Sequence, residues 1–232
     1  MSADQANTLS EIVLLSELSG DALATLEKRC SLRNFAPQEQ IIDRQSSTRD
    51  VYFIVTGRVR VVNFSLSGRE VAFDEIPAGG YFGETAAIDG EPRSATVVSL
   101  ESTTVAIMSP EAFHTLLIEH PKVALSLMVR MATIIRTSNE RIMDLSTLGA
   151  NNRVYAEILR LAKDDLNDDN TAKIKPIPIH GDIASRVSTT RETVARVLND
   201  LARKGLVKRE KDSLHILDMA HLSDMVEQFQ ME

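Results

Sequence analysis

Two charged residues stand nine positions apart in a stretch that is otherwise mostly small and apolar: Glu84 and Arg93, in "FGETAAIDGEPRSATV", residues 82–97. A core ordinarily excludes both, because burying an unpaired charge is costly. Two arrangements would account for them. An arginine forks parallel donors onto a phosphate or carboxylate, and a carboxylate accepts from a hydroxyl, so the two facing one cleft would grip an anionic, hydroxylated small molecule. Alternatively they pair with each other and hold a loop, although buried pairs add little stability.

A second group lies near the other end. Arg191 and Glu192 open a predicted helix in "TTRETVARVLNDLARKG", and Arg196 follows about one turn on. Arginine matches the two acceptors of guanine in a DNA major groove, and glutamate accepts from cytosine. From Arg186 to Lys211 there are eight basic residues against Glu192, Asp200 and Glu210, a balance of +5 in a chain whose total is −7. Basic charge is therefore gathered where phosphates would lie. The competing explanation is that Thr189 and Glu192 form a capping box on a helix whose basic face is simply solvated.

The net charge of −7 argues against general attraction to nucleic acid. Cys30 is the sole cysteine, which excludes an intrachain disulfide and a cluster held by four cysteines of one chain, and a buried structural role is expected for it. Apolar runs are too short for a membrane span, and Met1–Ser10 lacks the basic start and apolar stretch of a signal peptide, so a soluble, cytoplasmic protein without a membrane partner is expected. No activated nucleophile or His/Asp metal cluster is visible, which argues against an enzyme; no catalytic residue and no metal ligand is assigned.

The elements that must position these groups follow from periodicity. From about Leu32 to Met108, short runs rich in Val, Ile, Thr, Tyr and Phe are cut by turn signals, as in "VYFIVTG" and "RVRVVNF" before "SLSG". They predict an antiparallel sandwich or jelly roll of about eight strands. A helix is predicted from Pro121 to about Leu148, where Leu127, Met131, Ile134, Ser138, Arg141, Leu145 and Leu148 alternate by fours and threes. That seam suggests pairing with an identical helix, against the alternative of a helix lying on its own sheet. "GANN" at 149–152 is expected to break it as a hinge. Beyond, a helix over Asp182–Val187, a turn at Ser188 and Thr189, a second helix to about Lys204, Gly205 as its stop, and "LVKRE" against "LHILD" predict a helix–turn–helix with a hairpin.

With the two signature stretches in this order and a long helix between them, the chain from about Ile12 to Leu217 resembles the cyclic AMP receptor family, CRP–FNR, of bacterial transcription regulators. The resemblance implies an α+β protein: an N-terminal antiparallel β-roll (jelly roll) of the cyclic-nucleotide-binding type over 1–120, a long central dimerisation helix and hinge over 121–150, and a C-terminal winged helix–turn–helix over 151–232. A cyclic nucleotide carries one phosphodiester charge and a ribose 2′-hydroxyl. By the family pattern Arg93 and Ser94 bind the phosphate, Glu84 binds the ribose, and Gly83 and Thr85 belong to the same cassette, with the backbone at Gly83 approaching closely. Ser138 and Asn139 would touch the base, one in each subunit's site. Thr190, Arg191, Glu192 and Arg196 would meet DNA bases, with Lys208 on phosphate. The implied ligand is cyclic AMP ahead of cyclic GMP, with no metal or haem. The implied partners are double-stranded DNA, a second copy of the chain and RNA polymerase. The alternative within the family is a regulator that needs no ligand or senses another small molecule. Gln45 departs from the glycine many relatives have in the turn before "YFI", which puts the shape of that turn in question.

Overall fold

The computed structural model describes residues 8–66, 68 and 70–227. The chain divides into two compact units, Met1–Thr133 and Ile134–Glu232.

The first unit opens with α1 (Gly20–Glu27) and is built on eight strands: β1 (Cys30–Phe35), β2 (Gln40–Ile42), β3 (Val51–Thr56), β4 (Arg58–Phe64), β5 (Glu70–Pro77), β6 (Tyr81–Phe82), β7 (Thr96–Ser99) and β8 (Thr103–Met108). They form two four-stranded antiparallel sheets, ordered β1-β8-β3-β6 and β2-β7-β4-β5. The near-continuous apolar run of β3 has a simple cause. Side chains alternate faces along a strand, and here both faces are covered. Tyr52 and Ile54 enter the core between the sheets with Val59, Phe82 and Val105. Val51 and Phe53 pack outward against Leu9, Ile12, Phe113 and Leu116.

One element was absent from the sequence reading. A short helix, α2 (Glu84–Asp89), occupies the signature stretch between β6 and β7. Three residues of α3 (Pro110–Glu119) explain its placement. Phe113 and Leu116 share the outer core with Ala87, and His114 Nε2 donates to the Ala87 carbonyl at 2.6 Å. Cys30 is half-buried, and burial together with the charge of Glu27 pushes its thiol up to about 11, so it stays protonated and unreactive at neutral pH.

The long helix α4 (Pro121–Thr147) ends where expected, but the break is narrower than expected: Leu148 and Gly149 alone separate it from α5 (Ala150–Ala162), and Ala150, Asn151 and Asn152 are already helical. Gly149 caps α5 with extended backbone.

In the second unit α5 is followed by β9 (Ala172–Ile174), α6 (His180–Arg186), α7 (Arg191–Arg203), β10 (Val207–Arg209), β11 (Leu214–Ile216) and α8 (Met219–Glu227). The predicted hairpin is the β10–β11 pair, and β9 adds a third strand, giving the order β10-β11-β9. "AKI" is too short to announce a strand by alternation. Val194, Val197 and Leu201, spaced by three and four, turn one face of α7 into a core shared with Ile158, Ile183 and Ile216, which leaves the other face to solvent. The C-terminal helix α8 adds Leu222 and Val226 to that core. The last residues of the tail, 228–232, lie outside the described residues.

Candidate functional site

β6 delivers the chain to Gly83, whose φ of 85° is left-handed, and Glu84 begins α2 immediately after it. The Glu84 side chain is buried at 8% exposure, and this burial raises its carboxyl pKa above the usual range. Its own backbone hydrogen bond and the charges of Arg130 and Arg93 act the other way. Arg93 is buried too, at 3%. Its guanidinium donates to Thr48 Oγ1 at 3.1 Å, to the Gly83 carbonyl at 2.8 Å and to the Asp50 carbonyl at 2.7 Å. It also lies 5.7 Å from the centre of the Tyr52 ring, which stacks on Phe82 at 4.9 Å. None of these bonds goes to Glu84, so the two charges meet through space and not as a loop-closing pair.

Glycine at position 83 has a concrete packing reason. A Cβ there would come within 2.8 Å of both Arg93 Nη1 and the Asp50 carbonyl, so the missing side chain leaves room for the arginine. Gln45 itself adopts a left-handed φ of 70°, the region that favours glycine. Its N–H donates to the Arg93 carbonyl, while the Arg93 N–H donates to the Ser46 carbonyl, so two backbone bonds tie this turn to the arginine. Ser94 and Thr85 are exposed beside the buried pair, and Asn63 Nδ2 donates to the Ser94 carbonyl at 3.2 Å.

Arg130, on α4, was missed in the sequence. Its guanidinium sits 4.8 Å over the Tyr81 ring and 3.7 Å from Asp74 Oδ2. The available signal was its position between Leu127 and Met131, on the side of the helix that packs on the roll.

The chain itself covers part of the heptad seam. Leu127 is buried in the roll's own outer core and Leu148 in the core of the second unit, so the two ends of the predicted seam are covered by their own chain. Ile134 and Leu145 of the seam stay exposed, and α4 leaves a second apolar face open. Leu125, Met128, Ile135 and Ile142 are 57% to 60% exposed and fall with Ala132 and Asn139 on a stripe of alternating threes and fours, flanked by Val129 and Met143. Asn139 lies on this stripe, whereas Ser138, also exposed, points about 100° away from it.

In the second unit the DNA-facing candidates are exposed: Arg191, Glu192 and Arg196 on α7 and Lys208 on β10. The helix cap is Thr190, not Thr189: its Oγ1 accepts from the Thr193 N–H at 3.2 Å, so this hydroxyl is committed to the helix start. Glu192 is held below the usual carboxylate range by its own backbone N–H and by the Thr190 hydroxyl. Arg191 lies across Gly181 of α6, where a Cβ would approach its Nε to 2.8 Å. Arg196 donates to Asn151 Oδ1 at 3.2 Å.

Two supports behind this surface were not anticipated. Arg153 donates to the carbonyls of Leu148 at 2.8 Å, Val187 at 2.8 Å and Ser188 at 3.3 Å, tying the end of α4 to the turn between α6 and α7. Glu157, fully buried, faces Arg160 at 2.5 Å, Arg141 at 3.2 Å and Arg186 at 3.4 Å, and Arg160 also reaches Asp144 at 2.7 Å. A buried carboxylate among three arginines is tolerated only because each partner is charged and close.

Residues 32–120 match the cyclic nucleotide-binding domain, and residues 152–225 match the Crp-like helix-turn-helix domain. The chain belongs to the CRP–FNR family. It is similar to the cyclic AMP receptor protein of Thermus thermophilus, with 29% identity over 194 residues, covering 83% of this chain and 87% of that protein. It is also similar to the CRP-like cAMP-activated global transcriptional regulator of Mycobacterium tuberculosis, at 24% over 203 residues, covering 87% and 91%. A solved structure of a CooA mutant from Carboxydothermus hydrogenoformans shares the fold, with a TM-score of 0.78, 20% identity and 97% of each chain covered. A CRP–FNR protein is a DNA-binding transcription regulator, and in this member a cyclic-nucleotide-binding fold holds the buried Glu84 and Arg93 while a helix–turn–helix presents Arg191 and Arg196 to solvent.

Proposed function

We propose that the protein is a cyclic-nucleotide-responsive homodimeric regulator that recognises a palindromic DNA site, with cyclic AMP ahead of cyclic GMP as its ligand. The observation that carries this reading is a glutamate and an arginine, both buried in the roll and not bonded to each other, in a chain that also carries a helix–turn–helix. Arg93, with Ser94 beside it, takes the phosphate; Glu84 takes the ribose hydroxyl; Gly83 and Thr85 complete the cassette. Cyclic AMP appears in the names of both relatives above, which supports it as the first ligand to try.

The open stripe of α4 supports dimerisation, because a second copy would cover Leu125, Met128, Ile135 and Ile142 at once. Across such a pair, Asn139 and Ser138 face different directions and can serve the two ligand sites. Arg191, Glu192 and Arg196 read bases, Thr190 sets the helix start, and Lys208 contacts phosphate, with two recognition helices about one turn of DNA apart. The protein acts in the cytoplasm, with RNA polymerase as its further partner. Among the described residues, no helix is long and apolar enough to cross a membrane.

Calorimetry of the purified chain with cyclic AMP and cyclic GMP tests the reading. Saturable binding of one per chain is expected. A second reading, a regulator that needs no nucleotide, is favoured by one observation: the Arg93 guanidinium is already bonded to Thr48, Gly83 and Asp50. It predicts no heat with either nucleotide and unchanged DNA binding.

A further inference from the structure

Glu157 lies fully buried on α5, between Ala156 and Ile158 of the second unit's core, where an apolar side chain would serve stability as well or better. Its two oxygens are used differently. Oε2 takes Arg160 of the same helix at 2.5 Å, and Arg160 in turn holds Asp144 of α4 at 2.7 Å. Oε1 is shared by two arginines from other helices, Arg141 of α4 at 3.2 Å and Arg186, the last residue of α6, at 3.4 Å. Four residues earlier, on the same side of α5, Arg153 makes a junction of the same kind. It donates to the Leu148 carbonyl, just past α4, and to the Val187 and Ser188 carbonyls, just past α6. Two side chains one helical turn apart thus each join the end of α4 to the end of α6. A single attachment would leave α6 able to pivot, whereas two fix its direction. Apolar contact attracts without regard to angle; an arginine on a carboxylate does not. The recognition helix α7 takes the direction of α6, because Ile183 shares its core with Val194 and Val197, and Arg191, Glu192 and Arg196 inherit it.

We propose that Glu157 is a positioning residue for DNA recognition: by holding Arg141 and Arg186 on one oxygen, it fixes α6 and α7 against the end of α4 in the orientation that reads bases. The inference rests on the DNA-recognition reading above and is independent of which nucleotide binds the roll.

The test is fluorescence anisotropy of the full chain on two labelled duplexes, a palindrome recovered from a random pool and a scrambled sequence, with saturating cyclic AMP throughout and thermal melts alongside. Glu157→Gln keeps the shape and removes one negative charge, which by charge alone would tighten binding to any DNA. On the palindrome the opposite is expected, a weakening of about tenfold, the order of one lost base contact. The scrambled duplex should bind at least as tightly as it does to the parent. Arg186→Met leaves Glu157 with Arg141 and Arg160, and should weaken the palindrome more than the scrambled duplex. Arg160→Met is the control for stability: it strips Oε2 but leaves Oε1 to Arg141 and Arg186, so it should lower the melting temperature and keep the ratio of the two affinities near the parental value. A folded Glu157→Gln or Arg186→Met protein with the parental ratio overturns the inference while the recognition reading stands. So does an Arg160→Met protein whose ratio falls as far as theirs, since the effect is then one of stability alone. Should Glu157→Gln not fold, the comparison of Arg186→Met with Arg160→Met decides. A parent that binds both duplexes equally sinks the recognition reading and this inference together.

Discussion

Arg93 has a proposed role and an observed one, and a mutation will expose both together. It is assigned the phosphate, and its guanidinium also satisfies the buried carbonyls of Gly83 and Asp50. Arg93→Ala should therefore cost about 1.5–3 kcal/mol of ligand affinity, roughly 10- to 150-fold, and in addition lower the melting temperature, because orphaned buried acceptors are expensive. Arg93→Lys should recover little, since a single ammonium cannot replace the fork. Calorimetry beside thermal melting separates the two losses; unchanged nucleotide affinity in both variants would remove Arg93 from the site. Glu84 should behave in the opposite sense in the ligand-free protein. Burial raises its pKa, so whatever this carboxyl contributes to stability is fully present below its unfolded pKa and is lost as pH rises through the folded value. Glu84→Gln removes the charge and should raise the ligand-free melting temperature at neutral pH while weakening nucleotide binding. A variant neither stabilised nor weakened in binding would show that the buried charge has no function there.

The elements were unequally legible. Strands announced themselves because Val, Ile, Tyr and Phe sit between glycine turns, and the helix–turn–helix because Val194, Val197 and Leu201 repeat with the helical period. Of the seam read on α4, the chain covers Leu127 and Leu148 and leaves Ile134 and Leu145 exposed. Leu127 and Leu148 fit a heptad as well as Leu125 and Met128 do, and sequence alone does not say which apolar stripe the same chain already covers. Short elements such as α2 and β9 carry too few residues for periodicity to register. The second stripe yields a prediction: Ile135→Glu with Ile142→Glu should convert a dimer to a monomer in sedimentation, whereas the same change at Ile134 and Leu145, on the seam read from the sequence, should do so less. On α7, Arg191→Ala should cost about 1–3 kcal/mol at one base position and relax the preference there, while Lys208→Ala should weaken all sequences alike and reduce the salt slope by about one. Selection from a random DNA pool reads both; an Arg191→Ala protein with parental stringency is evidence against base reading by Arg191.

At the scale of the whole molecule, the roles proposed for the site residues come from the resemblance and not from any local pattern. Glu84 and Arg93 are legible as charges in an apolar stretch, but Arg130, Asn63, Arg153 and Glu157 are not, since each acquires meaning only from neighbours distant in sequence: Tyr81, Ser94, the Val187 carbonyl and Arg186. Those last contacts also bear on the hinge expected at 149–152. The joint at Leu148–Gly149 is bridged by Arg153 and backed by the charges around Glu157, so the end of α4 and the recognition helix are held together as one piece. A nucleotide changes DNA affinity only by binding one state of the protein more tightly than another. The most direct test is fluorescence anisotropy of a labelled palindromic DNA, recovered from the random pool, titrated with the parent protein with and without saturating cyclic AMP. The account predicts tightening by about tenfold or more, a coupling in the ordinary allosteric range. Identical titrations in the presence and absence of cyclic AMP and, in turn, cyclic GMP would contradict it.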